Sequence, residues 1–200
     1  MLDSTLRPLI DPPLNALARA LFKRGISANM VTAIGFAFAL CAFAALGFSS
    51  YGIALIFILL SRLMDGLDGP LARQTEATDI GGFFDIVCDF IFYSGVVFFF
   101  AVGRPEVALA SAFLIFSFMG TASSFLAYAI IASKRDINHE RQGKKSFFYV
   151  SGIAEGTETI LVLILFCLLP DYFNIIAIIY GVLCWLTTFG RVRQAVHDFG

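Results

Sequence analysis

Four aspartates carry the strongest chemical signal in this chain. The stretch MDGLDGPLARQTEATDIGGFFDIVCDF, from Met64 to Phe90, contains Asp65, Asp68, Asp85 and Asp89. Asp65 and Asp68 are three residues apart and Asp85 and Asp89 four apart, so on helices each pair projects from one face. Hard oxygen donors in this number suit Mg²⁺ or Mn²⁺ and, with waters and substrate phosphates, can hold two ions about 3.5–4 Å apart. The plainer alternative is that they cap helices or pair with Arg62 and Arg73. Neighbouring residues favour a ligand. Gly66 and Gly69 let a bulky group approach the backbone. Pro70 has no amide donor, so in an intact helix the Gly66 carbonyl loses its usual partner. Arg73 offers a fixed charge suited to phosphate. Glycine and proline here equally suit the end of a helix.

The elements that must position these carboxylates are membrane helices. The 200 residues are 58% hydrophobic and 14% charged, with 23 Phe and a mean hydropathy of +0.83, outside the balance of a soluble domain. Apolar runs at 30–48, 51–64, 82–103, 106–133, 147–169 and 172–190 predict six spans, the second completed by the Asp-containing stretch. An ionised Asp in a membrane helix costs ~2.5–3.5 kcal/mol, so four facing lipid would cost on the order of 10 kcal/mol. They must face a polar cavity or a cation. The short connection 74–80, with Thr75, Thr78 and Asp79, returns the chain antiparallel and aims the two pairs at each other.

The 14 basic residues orient the spans. Arg7, Arg19, Lys23 and Arg24 precede the first, Arg62 and Arg73 lie around the second turn, Lys134, Arg135, Arg141, Lys144 and Lys145 follow the fourth, and Arg191 and Arg193 follow the sixth, whereas the opposite connections hold only Arg104. Both termini and the Asp-rich segment are therefore expected in the cytoplasm. Residues 1–24 show helical apolar spacing interrupted at Pro12–Pro13, as for an amphipathic helix in the lipid interface or one packed under the bundle. Residues 25–200 then form the six-helix bundle of a single membrane domain, 1–200. Cys41, Cys88, Cys167 and Cys184 lie in apolar runs and read as small membrane-buried side chains. The net charge of −1 gives no reason to invoke nucleic acid.

Asp65-x-x-Asp68-Gly69-x-x-Ala72-Arg73, followed by Gly81-x-x-x-Asp85-x-x-x-Asp89, resembles the signature of the CDP-alcohol phosphotransferases. The topology and the amphipathic first segment are also similar. One departure is the spacer 74–80, seven residues where the familiar pattern has eight. The resemblance implies one divalent ion on Asp65, Asp68 and Asp85, a second on Asp65, Asp85 and Asp89, and Asp89 also as general base. It implies CDP contacts from Gly69, Ala72, Arg73 and Thr78, and from Asn29 and Thr32, which equally read as the polar start of a helix. It further implies a homodimer in a bacterial inner membrane. The implied reaction is attack of an acceptor hydroxyl on the β-phosphorus of a CDP-linked lipid donor such as CDP-diacylglycerol, with release of CMP.

The acceptor alcohol is not encoded in that motif. Glu155 and Glu158, three apart at the start of the fifth span, either meet a cationic or hydroxyl-rich acceptor or neutralise Lys144, Lys145 or Arg191. A phosphorylated acceptor would instead want a basic pocket, for which Arg135, Lys144, Lys145 and Arg191 are available. Rival readings are a carrier or channel with an acidic cation site, a membrane prenyltransferase, and a non-catalytic relative of the family. Clustering of the carboxylates in one helix pair, and the Gly-x-x-Ala-Arg insert, favour the phosphotransferase.

Overall fold

The computed structural model describes residues 2–74, 78–135 and 154–200, with side chains from Pro8 onward. Every regular element among these residues is helical: α1 (Leu2–Phe22), α2 (Ala28–Gly47), α3 (Tyr51–Ala72), α4 (Asp79–Gly103), α5 (Ala108–Lys134), α6 (Gly156–Leu168) and α7 (Phe173–Phe199), with one-turn 3₁₀ segments before α5 and α7. Four of them, α2, α4, α5 and α7, are long and apolar enough to cross a membrane. Two of the six expected spans differ. α3 has the length, at 22 residues, but carries Arg62, Asp65 and Asp68 in its second half. α6 has only 13 residues, about 20 Å at 1.5 Å per residue, against a hydrocarbon layer of about 30 Å. The first part of that expected span, 147–153, lies outside the described residues, as do Lys144 and Lys145.

Local chemistry explains the boundaries next to the site. Ser27 caps α2, its hydroxyl accepting from the Met30 amide at 3.3 Å, and Thr78 caps α4 by accepting from the Gly81 amide at 3.2 Å. α3 runs unbroken through Pro70. α1 likewise continues through Pro12 and Pro13 rather than breaking there. Its inner side, with Leu14, Ala18 and Leu21, meets Val31, Leu67 and Leu71, while Leu9, Ile10, Leu17 and Phe22 stay exposed. The helix is thus packed beneath the bundle and keeps an apolar outer edge.

α2 packs along both α3 and α4, while α3 and α4 lean on α2 more than on each other. α3 and α4 aim their carboxylates at one another as expected, meeting through long side chains such as Arg62 on Asp89, while α2 packs closely against both backbones. Close approaches set that packing. A side chain at Gly35 would meet the Met64 Cβ at 2.9 Å, and one at Gly95 would overlap the Phe43 ring. Phe43 is held in turn by stacking on Phe99 at 5.2 Å between centroids, so it has little room to move. Gly95→Ala is therefore expected to destabilise the protein by about 1–3 kcal/mol, read as a lowered thermal midpoint in detergent, with unchanged metal response.

α5 and α7 form the second half, with Gly120 against Trp185 and Thr188. Gly35 and Gly120 therefore serve contacts within one chain. At the end away from the aspartates, Ser49 Oγ donates to the Gly103 carbonyl at 3.0 Å, and Arg104 donates to the Pro170 carbonyl at 2.9 Å and to Glu106 at 2.7 Å. This clamp ties the α4–α5 and α6–α7 connections together. The outer surface is largely apolar, with Leu40, Ile56, Phe98, Phe116, Ile130 and Phe189 all exposed, as lipid-facing helices require. Cys167 and Cys184 are buried within the bundle, Cys88 is half-buried, and Cys41 is exposed on the outer surface of the apolar helix α2.

Candidate active site

The helix periodicity that pairs the aspartates in sequence brings three of them together in space. Carboxylate oxygens of Asp65 and Asp68 from α3 and Asp85 from α4 lie within 4.8 Å of one another, with Asp68 buried and the other two half-buried. Octahedral ligands about 2.1 Å from a Mg²⁺ ion stand about 3–4.2 Å apart, so this donor set fits one hard divalent cation with little adjustment. Thr32 on α2 donates to Asp68 Oδ2 at 2.9 Å while also bonding the Ala28 carbonyl at 3.1 Å. The hydroxyl holds the buried carboxylate in one orientation. A pocket opens here, lined by Thr32, Phe36, Ala39, Arg62, Asp65 and Asp68 among others, and by Cys88 from α4.

Asp89 takes a different partner. Its Oδ1 accepts from Arg62 Nη1 at 2.6 Å, and the same nitrogen stands 3.5 Å from Asp65 Oδ1. The ion-pair alternative read from sequence thus holds for Asp89 and partly for Asp65, while Asp65, Asp68 and Asp85 still converge. The Arg62 guanidinium sits over the Phe92 ring at 3.8 Å and 5.5 Å from the Tyr93 ring. Arg62, Phe92 and Tyr93 were not candidates for the site by motif. The signal that finds them is helical spacing, since Arg62 precedes Asp65 by three residues and Tyr93 follows Asp89 by four.

The remaining candidates for the nucleotide divide. Asn29 and Thr78 meet at Gly81, where an added Cβ would stand 3.1 Å from both side-chain oxygens. Gly81 therefore lets Asn29 of α2 and Thr78 at the start of α4 approach closely. Thr78 is already engaged as the α4 cap. Gly69 faces the Arg73 side chain, whose Nη1 would be 3.6 Å from a Cβ there. Arg73 closes α3 in an exposed position, with Ala72 half-buried beside it.

The acceptor candidates lie around the start of α6. Glu155 is 9% exposed, and its backbone carbonyl accepts from the Thr159 hydroxyl at 2.7 Å. Gly156 is close to the Tyr93 hydroxyl, 4.0 Å from a Cβ built on it, so Tyr93 stands between this region and Arg62. Glu158 follows on the first turn of α6. Arg191 is buried and donates to the Thr121 carbonyl at 2.9 Å. Arg135 donates to the Phe199 carbonyl at 2.9 Å, tying the ends of α5 and α7 rather than opening a pocket.

Residues 26–190 match the family model described as CDP-alcohol phosphatidyltransferase, a region that includes all four aspartates and every described helix except α1 and the end of α7. The chain belongs to the CDP-alcohol phosphatidyltransferase family. It is 50% identical over 193 residues to the inner membrane protein YnjF of Escherichia coli (strain K12), covering 96% of this chain and 94% of that protein. It is 30% identical over 199 residues to archaetidylinositol phosphate synthase of Pyrococcus horikoshii, covering 96% and 95%. Among solved structures, Mycobacterium tuberculosis phosphatidylinositol phosphate synthase (PgsA1) with CDP-DAG bound superposes with a TM-score of 0.66 over 92% of both chains, at 16% identity. That likeness establishes a shared fold. Membership makes this chain a transferase of the phospholipid-synthesising class, and the carrier, channel and prenyltransferase readings fall away.

Proposed function

We propose that the protein transfers a phosphatidyl group from CDP-diacylglycerol to a small hydroxyl-rich alcohol, releasing CMP, at a site on the cytoplasmic face of a bacterial inner membrane. The observation that carries this is the convergence of Asp65, Asp68 and Asp85 at the end of the bundle where Arg73 and the close group of Asn29, Thr78 and Gly81 also lie. Divalent cations, Mg²⁺ or Mn²⁺, bound by these three residues and by Asp89 would neutralise the donor pyrophosphate and the charge that develops during in-line displacement.

The chain's own residues divide the work. Asn29, Thr32, Gly69, Ala72, Arg73 and Thr78 place the CDP moiety beside the aspartates, Arg73 by charge and the small residues by leaving room. The acceptor oxygen forms its bond to the β-phosphorus as the bond from that phosphorus to the bridging oxygen breaks. CMP departs with that electron pair, and the hydroxyl proton passes to the Asp89 carboxylate. Arg62 fixes one oxygen of Asp89, which holds the carboxylate facing α3.

Six crossings are proposed, with both termini in the cytoplasm. α3 runs the full distance between the end marked by Ser49 and Gly103 and the end marked by Asp68, beside α2, which supports its crossing with α2 and α4. Its charged side chains then face the pocket rather than lipid. α1 lies in the interface, with Leu9, Ile10 and Leu17 toward lipid, and two copies of the chain assemble as a homodimer. Support for a hydroxyl-rich acceptor comes from buried Glu155 with Glu158, beside Tyr93. Arg135 and Arg191 already serve backbone carbonyls, whereas the synthase names of two relatives point to inositol phosphate products, an acceptor with a phosphate beside its hydroxyls.

The test is CMP release by the purified protein in lipid, given CDP-diacylglycerol, Mg²⁺ or Mn²⁺ and a panel of alcohols with and without phosphate. Metal-dependent release with at least one polyol is expected. Glu155→Gln and Glu158→Gln should raise the acceptor KM several-fold with the donor KM little changed. Absence of metal-dependent CMP release with every acceptor would overturn the proposed reaction.

A further inference from the structure

Arg62 has no part in the signature that identifies the family, yet it is the side chain most committed to the aspartate cluster. Its Nη1 is 2.6 Å from Asp89 Oδ1 and 3.5 Å from Asp65 Oδ1. Its side chain is only 10% exposed, with the guanidinium lying on the Phe92 ring and the Tyr93 ring behind. A planar cation with delocalised charge suits such an aromatic wall. Asp65 and Asp89 thus share a cation supplied by the protein, whereas Asp65, Asp68 and Asp85 converge as a separate group.

We infer that Arg62 is a built-in rival of a second divalent ion, holding the place between Asp65 and Asp89 so that the donor-free protein takes one ion tightly and a second only when the guanidinium is displaced. The inference rests on the metal-dependent reaction proposed above. Formal charge supports it. Four carboxylates and one guanidinium sum to −3; one divalent ion at Asp65, Asp68 and Asp85 brings the cluster to −1. A second ion would leave it at +1, with a fixed positive charge touching two of the oxygens that ion needs. The anionic pyrophosphate of the donor reverses that balance. Arg62 therefore couples filling of the Asp89 side to arrival of the donor, and keeps Asp89 ordered until then.

The experiment adds Mn²⁺ stepwise to the full-length protein in lipid nanodiscs without donor, with bound ions counted by equilibrium dialysis and the magnetic resonance signal recorded. In the wild type, one Mn²⁺ per chain with the spectrum of an isolated ion is expected at concentrations that saturate the tight site. Arg62→Met should bind two, with the second tightened at least tenfold and a spin-coupled spectrum, while Arg62→Lys, which keeps the charge, should remain at one. Phe92→Leu, which removes the aromatic wall, should fall between. Two equally tight ions in the wild type, or identical stoichiometry in wild type and Arg62→Met, would overturn the inference while leaving the reaction intact. No Mn²⁺ binding in any variant would overturn the proposed metal-dependent reaction as well. Should Arg62→Met fail to fold, the wild-type stoichiometry and the Phe92→Leu shift still decide.

Discussion

Asp89→Asn is expected to slow CMP release by about 10²–10⁴-fold, the range for loss of a positioned general base, and also to weaken binding of the donor, since Asp89 is proposed to help hold an ion against its pyrophosphate. The amide keeps the shape of the carboxylate but does not take the acceptor proton at neutral pH. A structural explanation has to be separated from this, because Asp89 also holds Arg62 at 2.6 Å. Breaking a fully buried pair from one side costs about 3–5 kcal/mol. Here the cost is expected to be smaller, since Asp89 is 30% exposed and Asp65 still faces Arg62 at 3.5 Å. The double variant Arg62→Met with Asp89→Asn removes both charges and should recover thermal stability without recovering activity. Recovery of CMP release in the double variant would show that Asp89 acts only by holding Arg62.

Asp68→Asn is expected to have the second largest effect, and its sign on stability is opposite. Asp68 is 8% exposed and belongs to the three-carboxylate group. The amide can still accept from Thr32, so the local hydrogen bond survives, but a charged metal ligand is lost. The metal concentration for half-maximal CMP release should rise by more than about 100-fold. Thr32→Val leaves the ligand in place and removes only the hydroxyl that orients it, so its rise should fall within about 10–100-fold, as for partners behind metal ligands. In chelator, Asp68→Asn should be as stable as the wild type or more so, because a cluster of like charges without its cation repels itself. Stability traded for function at a charged site is the expected pattern. Adding Mg²⁺ should raise the wild-type thermal midpoint and leave that of Asp68→Asn nearly unmoved. A large loss of stability in chelator would instead mark Asp68 as structural.

Much of the site was legible because helical periodicity is local. Asp65 with Asp68, and Asp85 with Asp89, needed only the knowledge that their segments are helices. Oily composition made a polar site for them nearly obligatory. What was not legible depended on how helices pair. The Thr32 bond to Asp68 links residues 36 apart, and the Arg62 bond to Asp89 spans 27. Sequence offered Arg62 as one possible partner, without saying that it would take Asp89 and leave Asp68 and Asp85 to converge with Asp65. The packing of α2 against both α3 and α4 was equally hidden, being set by contacts such as Gly35 with Met64 and Gly95 with Phe43. The prolines of α1 misled because a helix packed on a neighbour tolerates a lost backbone bond that an isolated one would not. The clustering of basic residues says nothing of their partners, since Arg135 and Arg191 bind carbonyls that only the folded bundle brings near.

The most direct measurement follows the donor's two phosphorus atoms separately. CDP-diacylglycerol radiolabelled only at the β-phosphorus is incubated with the protein, Mg²⁺ and the best acceptor of the panel, and the products are resolved into lipid and nucleotide fractions. Attack at the β-phosphorus beside the aspartates is expected to carry all transferred label into a new lipid phosphodiester and leave CMP unlabelled, with both products absent in chelator and reduced at least about 100-fold in Asp89→Asn. Label released in a nucleotide or as free phosphate, or labelled lipid formed equally well in chelator or by Asp89→Asn, would contradict the assignment of this cluster as the centre of phosphatidyl transfer.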